Sequence, residues 1–155
     1  MAWPNPIIHI VDDDPVFTKF ILGHVRSNGY DRVKSFESGE EFLETLKENP
    51  NVVLLDFSLK GLNGLDVIKE IKKNKPGIKI VVITVVNDPK LEEECLRMGA
   101  VDYLVKEENR MDAVKTRVLD ILHETVIEER RKYVVGGFAI IALIVLIYLM
   151  SGLLD

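Results

Sequence analysis

Residues Asn51 to Gly64 read NVVLLDFSLKGLNG, and this stretch decides the fold. Val52 to Leu55 form an apolar run without alternation that stops at Asp56, after which Gly61 and Gly64 bracket a turn. An unbroken run of this kind is the pattern of an interior parallel strand covered on both faces. Open α/β sheets place their ligands outside the carboxyl ends of their strands, so Asp56 is predicted to stand at a ligand-binding edge.

The same strand-then-polar-group pattern repeats on either side. Upstream, Ile7 to Val11 (IIHIV) is a short β-branched strand ending in Asp12, Asp13, Asp14 and Pro15. Asp14 before Pro15 suits a helix N-cap with proline in the first turn, which accounts for one of the three aspartates. The other two carboxylates repel each other unless solvent or a cation compensates them, and hard oxygen ligands suit Mg²⁺ or Ca²⁺. Val16, Phe17, Phe20, Ile21, His24 and Val25 then recur at helical spacing up to Asn28 and Gly29. A strand within Tyr30 to Phe36 and a helix from Ser38 to about Pro50 carrying Phe42, Leu43 and Leu46 complete the first half. His9 and His24 are read as structural.

Downstream, Leu62, Leu65, Ile68 and Ile71 mark a helix, and Ile78 to Val86 the next buried strand, with Thr84 near its end. Asp88 and Pro89 start a helix that Gly99 ends; Val101 to Val105 is a fifth strand stopping at Lys106. A last helix over about Asn109 to Glu129 shows Met111, Val114, Val118, Ile121 and Leu122 on one side. Alternating strands and helices with short loops imply a parallel sheet with helices on both faces. Its carboxyl edge would gather Asp12, Asp13, Asp56, Thr84 and Lys106 from four strand ends. Each has a dull explanation alone; their convergence on one edge does not. Carboxylates with a divalent cation can hold a phosphoryl group against an Asp nucleophile, while Lys106 and Thr84 supply charge and a donor.

Composition places limits on this reading. At 155 residues and 47% hydrophobic content the chain can bury one good core, and a net charge of -5 without a basic stripe gives no reason to expect nucleic-acid binding. Cys95 is the single cysteine, which excludes an internal disulfide. MAWPNP at the start lacks the character of a cleavable signal peptide, so the domain is expected in the cytoplasm. The apolar content is uneven: Tyr133 to Leu154 contains no charge over 22 residues. As a helix that stretch spans about 33 Å, against a hydrocarbon core of about 30 Å. Arg130, Arg131 and Lys132 precede it and only Asp155 follows, so the positive-inside rule predicts a single-pass span with the N-terminal domain in the cytoplasm and the C-terminus across the membrane. Gly136, Gly137, Ala139 and Ala142 are small, but no GxxxG occurs, and at most a weak homodimer is expected.

The motifs VDDD at the first strand end, LLD at the third, IT at the fourth and DYLVK at the fifth resemble the receiver domain of two-component response regulators, over about Ile7 to Leu122. The resemblance implies a flavodoxin-like (βα)5 fold with strand order 2-1-3-4-5. It implies Asp56 as the phosphoacceptor and Asp12 and Asp13 as the acidic pair. Mg²⁺ would be held by Asp12, Asp13, Asp56 and the Ser58 backbone carbonyl, with Asp13 a direct ligand. Thr84 and Lys106 match the switch hydroxyl and the phosphate-pairing lysine, and Tyr103 the aromatic coupled to Thr84. Residues 1–129 would form the receiver, 130–132 a basic juxtamembrane segment and 133–154 the transmembrane helix.

Three positions depart from the family pattern. Lys60 and Glu107 stand where proline is usual, and Val85 stands where alanine or glycine is common. Proline after the lysine often follows a cis bond, which before a non-proline residue costs about 2.5–4 kcal/mol. Val85 is expected to narrow the approach to Asp56.

The expected function is a membrane-anchored, stand-alone receiver. A histidine kinase or phosphotransfer protein would phosphorylate it on Asp56, and it would signal through a downstream protein rather than act as a metabolic enzyme. The alternative is a phosphorylation-independent membrane adaptor with a degenerate site. A hydrolase with an Asp nucleophile usually needs a second Asp two residues on, where Ser58 stands.

Overall fold

The structure is a computed structural model that describes residues 5–151. Its elements are β1 (Ile8–Val11), α1 (Pro15–Ser27), β2 (Val33–Phe36), α2 (Gly39–Glu44), β3 (Val52–Leu55), α3 (Gly64–Asn74), β4 (Lys79–Thr84), α4 (Pro89–Arg97), β5 (Asp102–Val105) and α5 (Met111–Ser151). The strands form one parallel sheet in the order β2-β1-β3-β4-β5, as the resemblance implied.

Handedness explains the layering. The chain steps outward from β1 to β2, then returns past β1 and proceeds through β3, β4 and β5. Right-handed crossovers send α1 to one face and α2, α3 and α4 to the other. After β5 the chain folds back, and α5 lies beside α1. Side chains alternate accordingly: Ile10, Leu54, Val81 and Ile83 pack with Phe17, Ile21, Val118 and Leu122, while Val11, Leu55 and Val82 pack with Phe42, Ile68 and Ile71. The reversal between β1 and β3 leaves a crevice at their carboxyl ends, and Asp12 and Asp56 end those two strands.

Local chemistry sets the helix starts. The Asp14 side chain accepts from Val16 N and Phe17 N with Pro15 in the first turn, and Asp88 before Pro89 repeats the arrangement at α4. Ser38 and Asn63 cap α2 and α3 by accepting from Glu41 N and Asp66 N. Each such cap is worth about 1 kcal/mol.

Three elements differ from the sequence reading. In α1 only Phe17, Ile21 and Val25 are buried, whereas Val16 is 76% exposed. The sheet accepts a narrow i, i+4, i+8 stripe, and residues a position away rotate into solvent. The helix expected to run from Ser38 to Pro50 ends at Glu44; a 3₁₀ turn over Leu46–Glu48 follows, and Asn49 closes it in the left-handed region at φ 53. The strand expected over Ile78 to Val86 is shorter, Lys79–Thr84, so Thr84 ends it.

The last helix, expected from about Asn109, begins at Met111 and runs straight on into the expected span. It continues through Arg130, Arg131 and Lys132 to Ser151 as one 41-residue helix. Its first part buries Val114, Val118, Ile121, Leu122 and Thr125 against the sheet. From Tyr133 to Leu149 its large apolar side chains are exposed. By length and composition it is a candidate membrane span. Residues 152–154 of the expected span, and Met1 to Pro4, lie outside the described residues.

Candidate functional site

The strand ends bring the predicted residues together. β1 and β3 pair in register from Ile8↔Val52 to Val11↔Leu55, so Asp12 and Asp56 leave the sheet side by side. Asp56 N donates to Val11 O at 2.8 Å, which holds the two ends level. Asp12 Oδ1 accepts from Asp14 N at 2.9 Å and Asp56 Oδ1 from Ser58 N at 3.0 Å. In each case a turn two residues long aims the carboxylate. Asp12 and Asp56 are 3% and 6% exposed.

Lys106 enters from β5, where its N–H donates to Thr84 O at 2.7 Å. Its ammonium donates to Asp12 Oδ2 at 2.5 Å and Asp56 Oδ2 at 2.9 Å, and sits 4.2 Å from the centre of the Phe17 ring. A buried ammonium shared by two carboxylates over an aromatic face is well compensated. The carboxylates are not. Burial raises the Asp12 carboxyl above its ordinary range, although Lys106 pulls it the other way.

Asp12, Asp13 and Asp56 each offer a ligand oxygen, and these oxygens lie within 4.8 Å of one another. The buried Lys106 ammonium touches two of these carboxylates and the exposed Lys60 ammonium lies 3.5 Å from the third, which still leaves an excess of negative charge on hard oxygen donors and fits a divalent cation such as Mg²⁺. The Ser58 carbonyl accepts from no donor among the described residues, so it is free to serve as a further ligand. Receiver domains in general bind Mg²⁺ at such an acidic cluster.

Thr84 and Tyr103 meet through one residue, Val86. Thr84 Oγ1 accepts from Val86 N at 3.3 Å and lies 3.5 Å from Ser58 Oγ. Val86 O in turn accepts from Tyr103 OH at 2.7 Å. Tyr103 is therefore turned inward, and burial pushes its hydroxyl up to about 12.

Sequence reasoning missed three partners. Phe17 under Lys106 was read only as a core residue. Lys60 Nζ lies 3.5 Å from Asp13 Oδ2, and Glu107 Oε1 accepts from Asn87 Nδ2 at 3.1 Å, tying the loop after β4 to the loop after β5. The unusual side chains at positions 60 and 107 were the available signal for the last two. No cis peptide bond occurs among the described residues, so the Lys106–Glu107 bond is trans.

Comparison with known proteins agrees with this geometry. The model of the response regulator receiver domain matches residues 8–118. The chemotaxis protein CheY of Thermotoga maritima is 32% identical over 99 residues, covering 63% of this chain and 82% of that protein. The DNA-binding transcriptional regulator NtrC of Escherichia coli is 32% identical over 101 residues, which is 64% of this chain but only 21% of NtrC. Among solved structures, a CheY-like receiver domain protein from Methanospirillum hungatei superposes with a TM-score of 0.69 at 24% identity, covering 83% of this chain and 99% of that one, and it shares the fold. Receiver domains of this kind are signalling phosphoacceptors rather than metabolic enzymes. The parallel sheet, the aspartates at two adjoining strand ends and the lysine between them, together with a family match over most of the packed part of the chain, mean that this chain belongs to the response regulator receiver domain family.

Proposed function

We propose that the chain is a membrane-anchored receiver that accepts a phosphoryl group on Asp56 from a histidine kinase or phosphotransfer protein and passes the signal on by protein contact. The observation that carries this reading is the Asp56 carboxylate, held at the end of β3 with the Lys106 ammonium 2.9 Å away and two further carboxylates within ligand range. An oxygen of Asp56 forms the new bond to phosphorus as the bond from phosphorus to the donor imidazole breaks and its electron pair stays with the imidazole. Asp12, Asp13, Asp56 and the Ser58 carbonyl would hold Mg²⁺, which when bound offsets the negative charge of the phosphoryl oxygens.

Lys106 already faces Asp56, so after transfer it can keep its hold on Asp12 and turn its second contact to the phosphoryl group. Thr84 is the nearest hydroxyl on the neighbouring strand. If its Oγ1 donates to the phosphoryl oxygens and shifts toward them, Val86 N loses its acceptor, and the carbonyl of the same residue holds the Tyr103 hydroxyl. Change at Asp56 then reaches the surface between α4 and β5 through one residue, Val86.

The division into a receiver (1–129), a basic segment (130–132) and a span (133–154) follows the change along α5 from a buried stripe to exposed apolar surface. The basic segment Arg130 to Lys132 supports a cytoplasmic receiver. The test is intact mass of the full chain in lipid nanodiscs after incubation with Mg²⁺ and a phosphorylated histidine kinase or a small phosphodonor. A single phosphoryl adduct is expected, absent in Asp56→Ala and absent without Mg²⁺. No adduct from any donor would favour an adaptor that works without phosphorylation.

A further inference from the structure

The two ends of the sheet differ in charge. The carboxyl edge is acidic, with Asp12, Asp13, Asp56, Asp88 and Glu107 outnumbering Lys60 and Lys106. The amino edge, where α5 leaves the sheet, is mixed: Arg32, Lys75, Lys79, Arg131 and Lys132 stand with Asp31, Glu48, Glu128 and Glu129. The whole chain carries a net charge of -5, so this near balance departs from the average.

A polar cleft of about 380 Å³ opens at this edge, between α5, the turn before β3 and the turn before β4. Its walls include Asn51, Lys75, Gly77, Lys79, Glu128 and Lys132. Two of the lysines are matched: Lys79 Nζ to Glu128 at 2.8 Å and Lys132 Nζ to Glu129 at 2.7 Å. Lys75 has no such partner among the described residues. Asn51 spends its carbonyl oxygen on Ile7 N at 2.8 Å and keeps its amide donors. Gly77 has open space where a side chain would be. The cleft therefore presents donors and a surplus of positive charge, the chemistry of an anion site.

Its height along α5 identifies the anion. Lys132 directly precedes the exposed apolar part of the helix, and Glu128 is four residues, about 6 Å, below it. The headgroup layer on each side of a bilayer is about 5–8 Å deep. The cleft thus lies at headgroup level wherever α5 crosses a membrane. We propose that the amino-edge cleft between Asn51, Lys75, Lys79 and Lys132 holds the phosphate of an anionic lipid headgroup and so fixes the tilt of the receiver on the bilayer, a reading that rests on α5 being the membrane anchor.

The test uses the full chain in nanodiscs of phosphatidylcholine alone or with phosphatidylglycerol, with amide hydrogen exchange as the readout. Residues 49–51 and 74–79 are expected to exchange several-fold more slowly in the anionic discs. Each basic residue near an anionic surface contributes about fivefold in binding. Lys75→Gln with Lys132→Gln should abolish most of the difference while phosphorylation of Asp56 proceeds as before, which shows that the variant still folds. Equal exchange in both discs, with the chain resisting alkaline extraction from the membrane, overturns the headgroup site and leaves the anchor standing. Release of the chain by alkaline extraction overturns the anchor and the site together. Slower exchange on adding inorganic phosphate to neutral discs, equal to that in anionic discs, overturns the lipid as the source of the anion.

Discussion

The two parts of α5 share a backbone and little else. From Met111 to Thr125 the apolar residues recur at helical spacing, and Val114, Val118, Ile121 and Leu122 are buried on the sheet while their neighbours face out. From Tyr133 to Leu149 apolar side chains point in every direction and none of the large ones is buried. A helix with one apolar stripe is matched to a partner surface; a helix apolar all round is matched to a solvent. One continuous helix is thus packed by the fold over its first part and by its surroundings over the rest. The charged residues Glu128 to Lys132 mark the change.

Removing the second part should have the largest effect. The full chain is expected to stay in the membrane fraction after alkaline carbonate extraction, and the fragment 1–132 to be soluble and still phosphorylated on Asp56. A fragment that aggregates and cannot be phosphorylated would show that the apolar part serves the receiver core instead.

Charge placed in each part should break different things. Val118→Asp buries an unpaired carboxylate and should destabilise the receiver by about 3–5 kcal/mol in urea unfolding. Ile141→Asp should leave that unfolding unchanged and add roughly 3 kcal/mol to the cost of membrane insertion, read as a lower inserted fraction. Truncation sharpens the same contrast with a smaller effect. Ile121→Ala should cost roughly 3 kcal/mol of receiver stability by leaving a cavity, and Ile144→Ala close to none.

The smallest effect separates the parts by pH. His9 lies fully buried in β1 against Phe36 and Phe42, with no hydrogen bond to either ring nitrogen and Glu48 Oε2 at 3.5 Å. Burial holds its imidazole below the ordinary 6.5, and the charge of Lys34 adds to this, although Glu48 opposes both. The unfolded chain then binds this proton at higher pH than the folded chain. Receiver stability is full above 6.5 and declines as pH falls from there toward the lower folded value, by at most about 1.4 kcal/mol per pH unit. His9→Leu should flatten that slope in thermal melts at pH 5 to 7. Tyr133 to Leu149 has no group that titrates there, so extraction from the membrane should not follow the same curve.

Much of the site was legible because buried strands advertise their ends. Runs such as VVLL and IVVIT stop at a polar residue, and a parallel sheet puts all such stops on one edge, so Asp12, Asp56, Thr84 and Lys106 could be placed together from pattern alone. What the pattern does not contain is where long side chains reach. Lys106 bridges Asp12 as well as Asp56, and its ammonium lies over the Phe17 ring, a contact across 89 residues that no spacing encodes. The exposure of Val16 and the break after Glu44 were hidden for a related reason. Helical periodicity says which residues share a face, and only the width of the facing sheet says how much of that face is covered. His9 could be called structural from its strand, but its lack of partners depends on the rings that Phe36 and Phe42 bring from elsewhere.

The absence of a break between Met111 and the apolar part of α5 has a consequence for encounters. Met111 to Lys132 is one helical rod, and Asp56 stands five residues along β3 from Asn51, so in the membrane-anchored reading the acidic pocket is held about 17 Å from the cleft at headgroup level. A flexible tether would let the pocket sample every height. A rod confines it to one layer parallel to the bilayer, facing away from it. A phosphodonor fixed in the same membrane meets this receiver only if its own stalk raises its histidine to that level, so stature as well as surface chemistry selects the partner.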